Sequence, residues 1–245
     1  MSNEINERET KPLGARLGEA FFCVIYLVFM VIVVAHMAGK TKGMTPMLGV
    51  TPDYYRYAFG FLMGALLVGG DAFHLIPRII IDIRGSMWKE NVFLGAGSLI
   101  SSITMTLFYN ILIAMGDSME YSPDEYNYGI EKAILVLTLI RIILLLFPQN
   151  KWYTKEPSRK CAIIRNIPFV IIGVLVVFGL LNVMNHSIHY PSSFYLTIII
   201  LVILSFAFYL PVAILGKEKP KLGMLMIPKT ICYMIMMGVI AYGNY

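Results

Sequence analysis

Charge is what this chain of 245 residues has least of. Asp, Glu, Lys and Arg together make up 14% of it, about half the share of a soluble domain. The 51 residues from 166 to 216 contain none of the four. No water-soluble fold hides such a run, which is long enough for two membrane crossings of about 20 residues each. Cysteine is scarce too. Cys23, Cys161 and Cys232 lie far apart, with no CxxC and no Cys/His spacing. That excludes a disulfide framework and a zinc site of the usual kind. No Gly-x-Ser-x-Gly elbow is present, so the serines have no strand-to-helix turn to expose a nucleophile. The chain also has no internal repeat and no low-complexity stretch, and it carries no soluble module.

What the chain does have is apolar sequence, 58% of its residues, arranged in blocks. Residues 20–39 form a clean run of spanning length. It is too long for a signal-peptide core and lacks a small-x-small cleavage site after it, so an uncleaved first helix is expected. Further spans follow at 55–82, 92–116, 130–148, 163–189, 192–215 and 224–243. The uncharged run divides at His189-Tyr190-Pro191-Ser192-Ser193, where proline ends one helix and serine suits the start of the next. The expected fold is all-α: a polar segment 1–19 on the cytoplasmic side, then one domain of seven transmembrane helices over 20–245, in the cell membrane. The net charge of +5 sits on short loops. Fifteen Lys and Arg fall on one side and four on the other, so the positive-inside rule places the N-terminus in the cytoplasm and the C-terminus outside. The same bias explains the basic charge without a nucleic-acid partner. Asp117, Glu120, Asp124 and Glu125 make the opposite side acidic. Tyr54, Tyr55, Tyr57, Trp88, Tyr109, Trp152, Tyr153, Tyr190 and Tyr195 suit an interfacial aromatic belt.

Within this apolar background, the second span carries Asp71, His74 and Arg78 in GALLVGGDAFHLIPRII. At 100° per residue they fall within about 60° of one another on one helix face. Ionisable groups are costly there and mark candidate sites. Gly60 and Gly64 lie near the same face as a small-xxx-small pair, so that face is expected to meet a neighbouring helix. Arg141 in the fourth span lies about as deep as Asp71, and an Asp71–Arg141 pair across the bundle is expected. The third span offers Ser98, Ser101, Ser102, Thr104, Thr106, Tyr109 and Asn110, which bond their own backbone or form a hydroxyl wall opposite Asp71. Asn182, Asn185, His186 and His189 form a second stripe if the fifth helix runs to Tyr190. His186 and His189, with His36, could share a divalent metal, but interfacial histidines also simply meet water, and no metal site is assigned. In the inner half, Glu19 and Asp71 are outnumbered by Arg78, Arg141, Arg165 and Lys229, which suits an anionic group such as a phosphate head group.

Gly70-Asp71 followed by Leu75, and then the glycine- and phenylalanine-rich stretch FLGAGSLISSITMTLFY over 93–109, resembles a segment of the lysoplasmalogenase-like membrane family. The resemblance covers residues 70–109. It implies Asp71 as a catalytic acid or base in cleaving a lysophospholipid-type ether lipid, with Tyr109 closing the segment. The family's histidine before the tyrosine is missing, and so is its late-helix aspartate, where this chain reads Leu204-Ser205-Phe206. Microbial opsins do not fit, because Lys229 stands at the start of the last span. The zinc-dependent seven-helix hydrolases do not fit, because that span has no histidine.

Two functions follow from these residues. One is a membrane-embedded hydrolase of a lipid-like substrate, with Asp71 or His74 activating water and Arg78, Arg141 and Tyr109 holding the anionic ligand. The other is a non-enzymatic carrier or sensor that binds a small solute or a proton at Asp71, His74 and Arg141. Membrane lipid is the expected surrounding partner in both, and no pattern names a cofactor.

Overall fold

A computed structural model describes residues 13–44, 51–120, 129–154, 158–215 and 219–243. These residues form seven α-helices: α1 Leu13–Gly43, α2 Pro52–Arg84, α3 Glu90–Glu120, α4 Gly129–Leu146, α5 Arg159–Asn185, α6 Ser192–Leu215 and α7 Met226–Tyr242. Short 3-10 turns occupy Pro148–Asn150 and Pro220–Leu225. Every expected span has its helix. Six segments are long and apolar enough to cross a membrane. α4 has the length of about 27 Å but carries Glu131, Lys132 and Arg141 within 18 residues. The chain is a multi-pass helical bundle.

Local chemistry sets the helix ends. The Thr51 hydroxyl accepts from the Tyr54 amide at the start of α2, ahead of Pro52, and Gly85 ends that helix with φ +88°, a conformation open to glycine. The Ser158 hydroxyl caps α5 in the same way. Two arginines tie helix ends together. Arg16 donates to the Ile81 carbonyl near the end of α2, at 2.9 Å. Arg56, in the second turn of α2, donates to Ile240 and Gly243 at the end of α7, at 2.8 and 2.7 Å. The start of α1 and the end of α7 therefore lie at opposite ends of the bundle.

Around the bundle, α1, α2, α3, α5, α6 and α7 pack in sequence and α7 returns to α1; α4 rides outside, against α3 and α5. Its buried stripe is Ile134, Thr138, Arg141 and Leu145, the spacing of one helix face. Leu135, Val136, Leu139, Ile140, Ile143 and Leu146 on its other faces are exposed, as a lipid-facing helix requires. Gly60 and Gly64 behave as the small-xxx-small pattern predicts. A side chain on Gly60 would meet Met37 of α1 and Ile240 of α7, and one on Gly64 would meet Val34 and Met237. α2 and α3 approach closely at Gly97, where a Cβ would run into the Phe73 carbonyl oxygen and stand 2.7 Å from the His74 Cα.

Three expectations change. α5 stops at Asn185 rather than reaching Tyr190, because Glu120 at the end of α3 holds the following loop. Its carboxylate accepts from the amides of Ile188, His189 and Tyr190 at 2.8, 3.0 and 3.1 Å and from the Tyr195 hydroxyl at 2.7 Å. The four-residue stripe of Asn and His is therefore broken after Asn185. Asp117 and Glu120 are helical and buried rather than loop residues, while Asp124 and Glu125 lie outside the described residues. Tyr109 is fully buried in the core, not in an interfacial belt, because the face of α3 that carries it turns toward α5, α6 and α7.

Candidate functional site in the bundle core

Asp71 lies more than halfway along α2 and faces inward, as its position on the glycine face predicts. The Tyr26 hydroxyl of α1 donates to its Oδ2 at 2.5 Å, and the Ser101 hydroxyl of α3 donates to its Oδ1 at 2.9 Å. Both oxygens of a half-buried carboxylate are thus bonded by neutral donors from the two flanking helices. The other hydroxyls of α3 mostly serve their own helix: Ser98, Ser102, Thr104 and Thr106 donate to carbonyls three or four residues back. Ser101 alone turns that wall toward Asp71.

His74 does not join Asp71. Its Nδ1 lies 3.4 Å from the Ser98 hydroxyl, whose proton is already directed to the Leu94 carbonyl at 2.8 Å. Arg78 is half-buried another turn along α2. The expected Asp71–Arg141 ion pair does not form either. α2 and α4 both pack on α3, which stands between them. Asp71 also lies about 28 Å along α2 from Pro52, against about 18 Å along α4 from Gly129 for Arg141, at 1.5 Å per residue. Among the described residues the cation in electrostatic reach of Asp71 is Lys229 of α7, which the sequence places at the start of the last span.

Arg141 itself is 2% exposed. Its guanidinium carbon sits 3.4 Å from the centre of the Phe169 ring of α5, a stacked cation–π contact. Nε and Nη1 are enclosed and have no hydrogen-bond acceptor. Among the described residues the guanidinium has no ion-pair partner. Lys229 is 8% exposed. Its ammonium lies 5.1 and 5.3 Å from the ring centres of Tyr209 and Tyr233. It too makes no hydrogen bond or ion pair among the described residues.

The same two tyrosines, with Tyr109 and Arg165, are in electrostatic reach of Arg141. Tyr109 bonds Tyr233 at 2.8 Å and Ser205 at 3.0 Å. Ser205 passes its proton to the Val202 carbonyl. Tyr209 donates to Asn166 at 2.8 Å. Arg165, by contrast, is used by the fold: it donates to Asn150 at 2.9 Å and stacks on Trp152 at 4.0 Å. The core therefore holds a hydroxyl-bonded carboxylate and, past it, two unpartnered cations around an aromatic wall.

The residues that sequence reading passed over here are Tyr26, Tyr209, Tyr233 and Phe169; Glu120 reads only as part of an acidic outer side, and Lys229 only as one of several inner-half cations. Lys229 and Tyr233 are four residues apart on one face of the last span, a legible signal. Phe169 has none, being one apolar residue among many. At the other end of the bundle, His186 bonds its own Asn182 carbonyl and His189 lies 3.4 Å from Glu120. His36 packs on the rings of Tyr57 and Tyr242. Among the described residues no three His, Cys, Asp or Glu side chains gather as metal ligands would.

No family model, no curated protein and no solved structure matches the chain.

Proposed function

We propose that this multi-pass protein of the cell membrane, its N-terminus cytoplasmic, binds a small anion inside its bundle and acts as a carrier or sensor of that solute. The observation that carries this reading is Arg141. A guanidinium presents five N–H donors in a planar fork suited to carboxylate or phosphate. Leaving a buried charged donor without an acceptor costs about 1–3 kcal/mol per group or more, and an arginine at this depth costs about 2.5–3.5 kcal/mol on insertion scales. Stacking on Phe169 returns about 2 kcal/mol or more when desolvated, but it fills none of the N–H donors. An anion seated at the guanidinium supplies the missing acceptors and removes the charge imbalance together.

The test is the thermal midpoint of the purified protein in neutral detergent, titrated with carboxylates, phosphate, sulfate and chloride at constant ionic strength. A ligand at 100 times its dissociation constant stabilises by about 2.7 kcal/mol. At least one anion should raise the midpoint, and Arg141→Gln should abolish the rise. A midpoint that no anion moves removes the reading.

A second reading is a membrane-embedded hydrolase of lipid-like, lysophospholipid-type substrates, with Asp71 as the base. It draws on one contact, the Ser101 hydroxyl donating to Asp71 at 2.9 Å, which aligns a hydroxyl with a proton acceptor. The resemblance over residues 70–109 points the same way. Turnover of a lysolipid library by the purified protein, lost in Asp71→Asn, would favour it; no turnover leaves the anion-binding reading alone.

A further inference from the structure

We propose that Lys229 is the second arm of the anion site and that the ligand is a dianionic oxyanion, held between Arg141 and Lys229. This rests on the reading of Arg141 as an anion contact and adds the class of the ligand. Two independent observations support it. Arg141 and Lys229 are each more than nine-tenths buried, come from different helices, α4 and α7, and lack an acceptor among the described residues. Both also border the same aromatic wall: Tyr209 and Tyr233 flank the Lys229 ammonium, and Phe169, which carries the Arg141 guanidinium, has its ring centre 5.5 Å from that of Tyr209. The two cations feel each other. Like charges brought together in a low-dielectric interior repel strongly. Such a pair is tolerated where one ligand satisfies both.

The groups around the pair decide the charge of that ligand. Among the described residues Asp71 is the acid in electrostatic reach of Lys229, but its two oxygens are bonded by Tyr26 and Ser101, and it forms no ion pair with Lys229. Arg165 is taken up by Asn150 and Trp152. The hydroxyls of Tyr109, Tyr233 and Ser205 are bonded in a chain to one another and to Val202, so they complete the wall without neutralising either cation. Asp71 and Arg165 keep their opposite charges and offset each other, so the two cations Arg141 and Lys229 and their two unfilled sets of N–H donors remain. A monoanion leaves one set of donors unmet. A ligand with two negative charges, a dicarboxylate or a phosphate-type oxyanion, meets both. That chemistry is shared by free dianions and by a phosphomonoester lipid head group.

The experiment uses the full chain in neutral detergent, with its thermal midpoint followed in succinate or inorganic phosphate against acetate or chloride at equal ionic strength. A parallel arm uses lipid nanodiscs containing phosphatidic acid or, as the monoanionic control, phosphatidylglycerol. The wild type should respond to a dianion at concentrations about tenfold or more below those needed for a monoanion, the loss expected for one charged contact. Lys229→Gln should reduce the dianion response to the acetate level and leave the acetate response in place, and Lys229→Arg should keep the dianion preference. A preference in the nanodisc arm alone supports the same site with a lipid ligand. Equal response to monoanions and dianions, or a preference unchanged in Lys229→Gln or lost in Lys229→Arg, overturns the inference and leaves the Arg141 reading standing. If no soluble or lipid anion moves the midpoint, both fall.

Discussion

Glu120 and Arg141 are both charged side chains buried in one bundle, and the fold treats them oppositely. Glu120 is saturated: three backbone amides and the Tyr195 hydroxyl point at it, and the His189 ring stands beside it. At the same end Arg56 is equally occupied, donating to Ile240 and Gly243 and lying 3.6 Å from Asp53. In the core, among the described residues, Arg141 has the face of Phe169, and Lys229 has two ring faces. Burial alone does not separate these cases. What separates them is whether the described residues supply the partners. A buried charge that closes a helix end with backbone hydrogen bonds explains its own presence as architecture. One with unfilled donors points to a partner that is not part of the chain.

The largest effect expected from breaking this contrast is at Glu120. Glu120→Ala leaves the amides of 188–190 and the Tyr195 hydroxyl without their acceptor at once. With charged hydrogen bonds each contributing about 1.5–3 kcal/mol and partial replacement by water near the bundle end, a loss on the order of 4 kcal/mol is expected. Thermal denaturation in detergent reads it, and hydrogen exchange at residues 186–191 should rise together with it. Unchanged exchange there would show that Glu120 does not hold the loop.

Next in size is Gly97→Ala, which tests whether the α2–α3 contact sets the position of Asp71. The added Cβ meets the Phe73 carbonyl and the His74 backbone, which cannot rotate away, so α2 and α3 must separate. A cost of about 1–3 kcal/mol is typical of such overpacking. Gly69→Ala is the control. Nothing lies within 4 Å of its Cβ, and alanine there should gain up to about 1 kcal/mol from helix propensity. Equal effects of the two substitutions would mean that the close approach is not limiting.

Much of this architecture is legible in the sequence, and the reason is physical. The seven helices follow from apolar blocks because a bilayer sets one length and demands one secondary structure. The inward turn of Asp71 follows from Gly60 and Gly64 on the same face. The Asp71–Arg141 pairing fails because residue counts give approximate depth along a helix and nothing about which helices are neighbours; α3 between them is a tertiary fact. The extent of α5 is misread because Glu120, distant in sequence, captures the loop after Asn185. Tyr109 reads as a belt residue because tyrosine is common at interfaces, and only the hydroxyl partners Ser205 and Tyr233 mark it as core.

A smaller effect is expected at Tyr190, whose hydroxyl donates to Asp53 across the Arg56 end. Burial, and then the Asp53 carboxylate, push its phenol well above the ordinary value of 10.0. With the folded value raised, the stabilisation is fully present below pH 10 and is lost as pH rises toward the folded value, because the unfolded chain releases that proton first. Tyr190→Phe should cost about 1 kcal/mol at neutral pH. The gap to wild type should narrow above pH 10, by up to about 1.4 kcal/mol per pH unit. A gap that stays constant from pH 8 to pH 11 would place the stabilisation in packing against Phe194 rather than in the hydrogen bond.

The smallest effect expected is the one that sharpens the contrast most. Arg141→Met keeps a long apolar stem against Phe169 and deletes a charge with no acceptor. In protein free of added anions it should change stability by less than about 1 kcal/mol, or raise it, as happens when a buried ionic group is replaced by a well-packed apolar one. Glu120→Met, which likewise replaces a charged group by an unbranched apolar chain, should still be strongly destabilising. The asymmetry should then close on one side only. Adding succinate or phosphate should stabilise wild type and leave Arg141→Met where it was, so that the arginine matters to stability only when an anion is there to use it. If Arg141→Met instead unfolds the anion-free protein as severely as Glu120→Met does, Arg141 is an architectural charge like Glu120, and the core site loses its principal support.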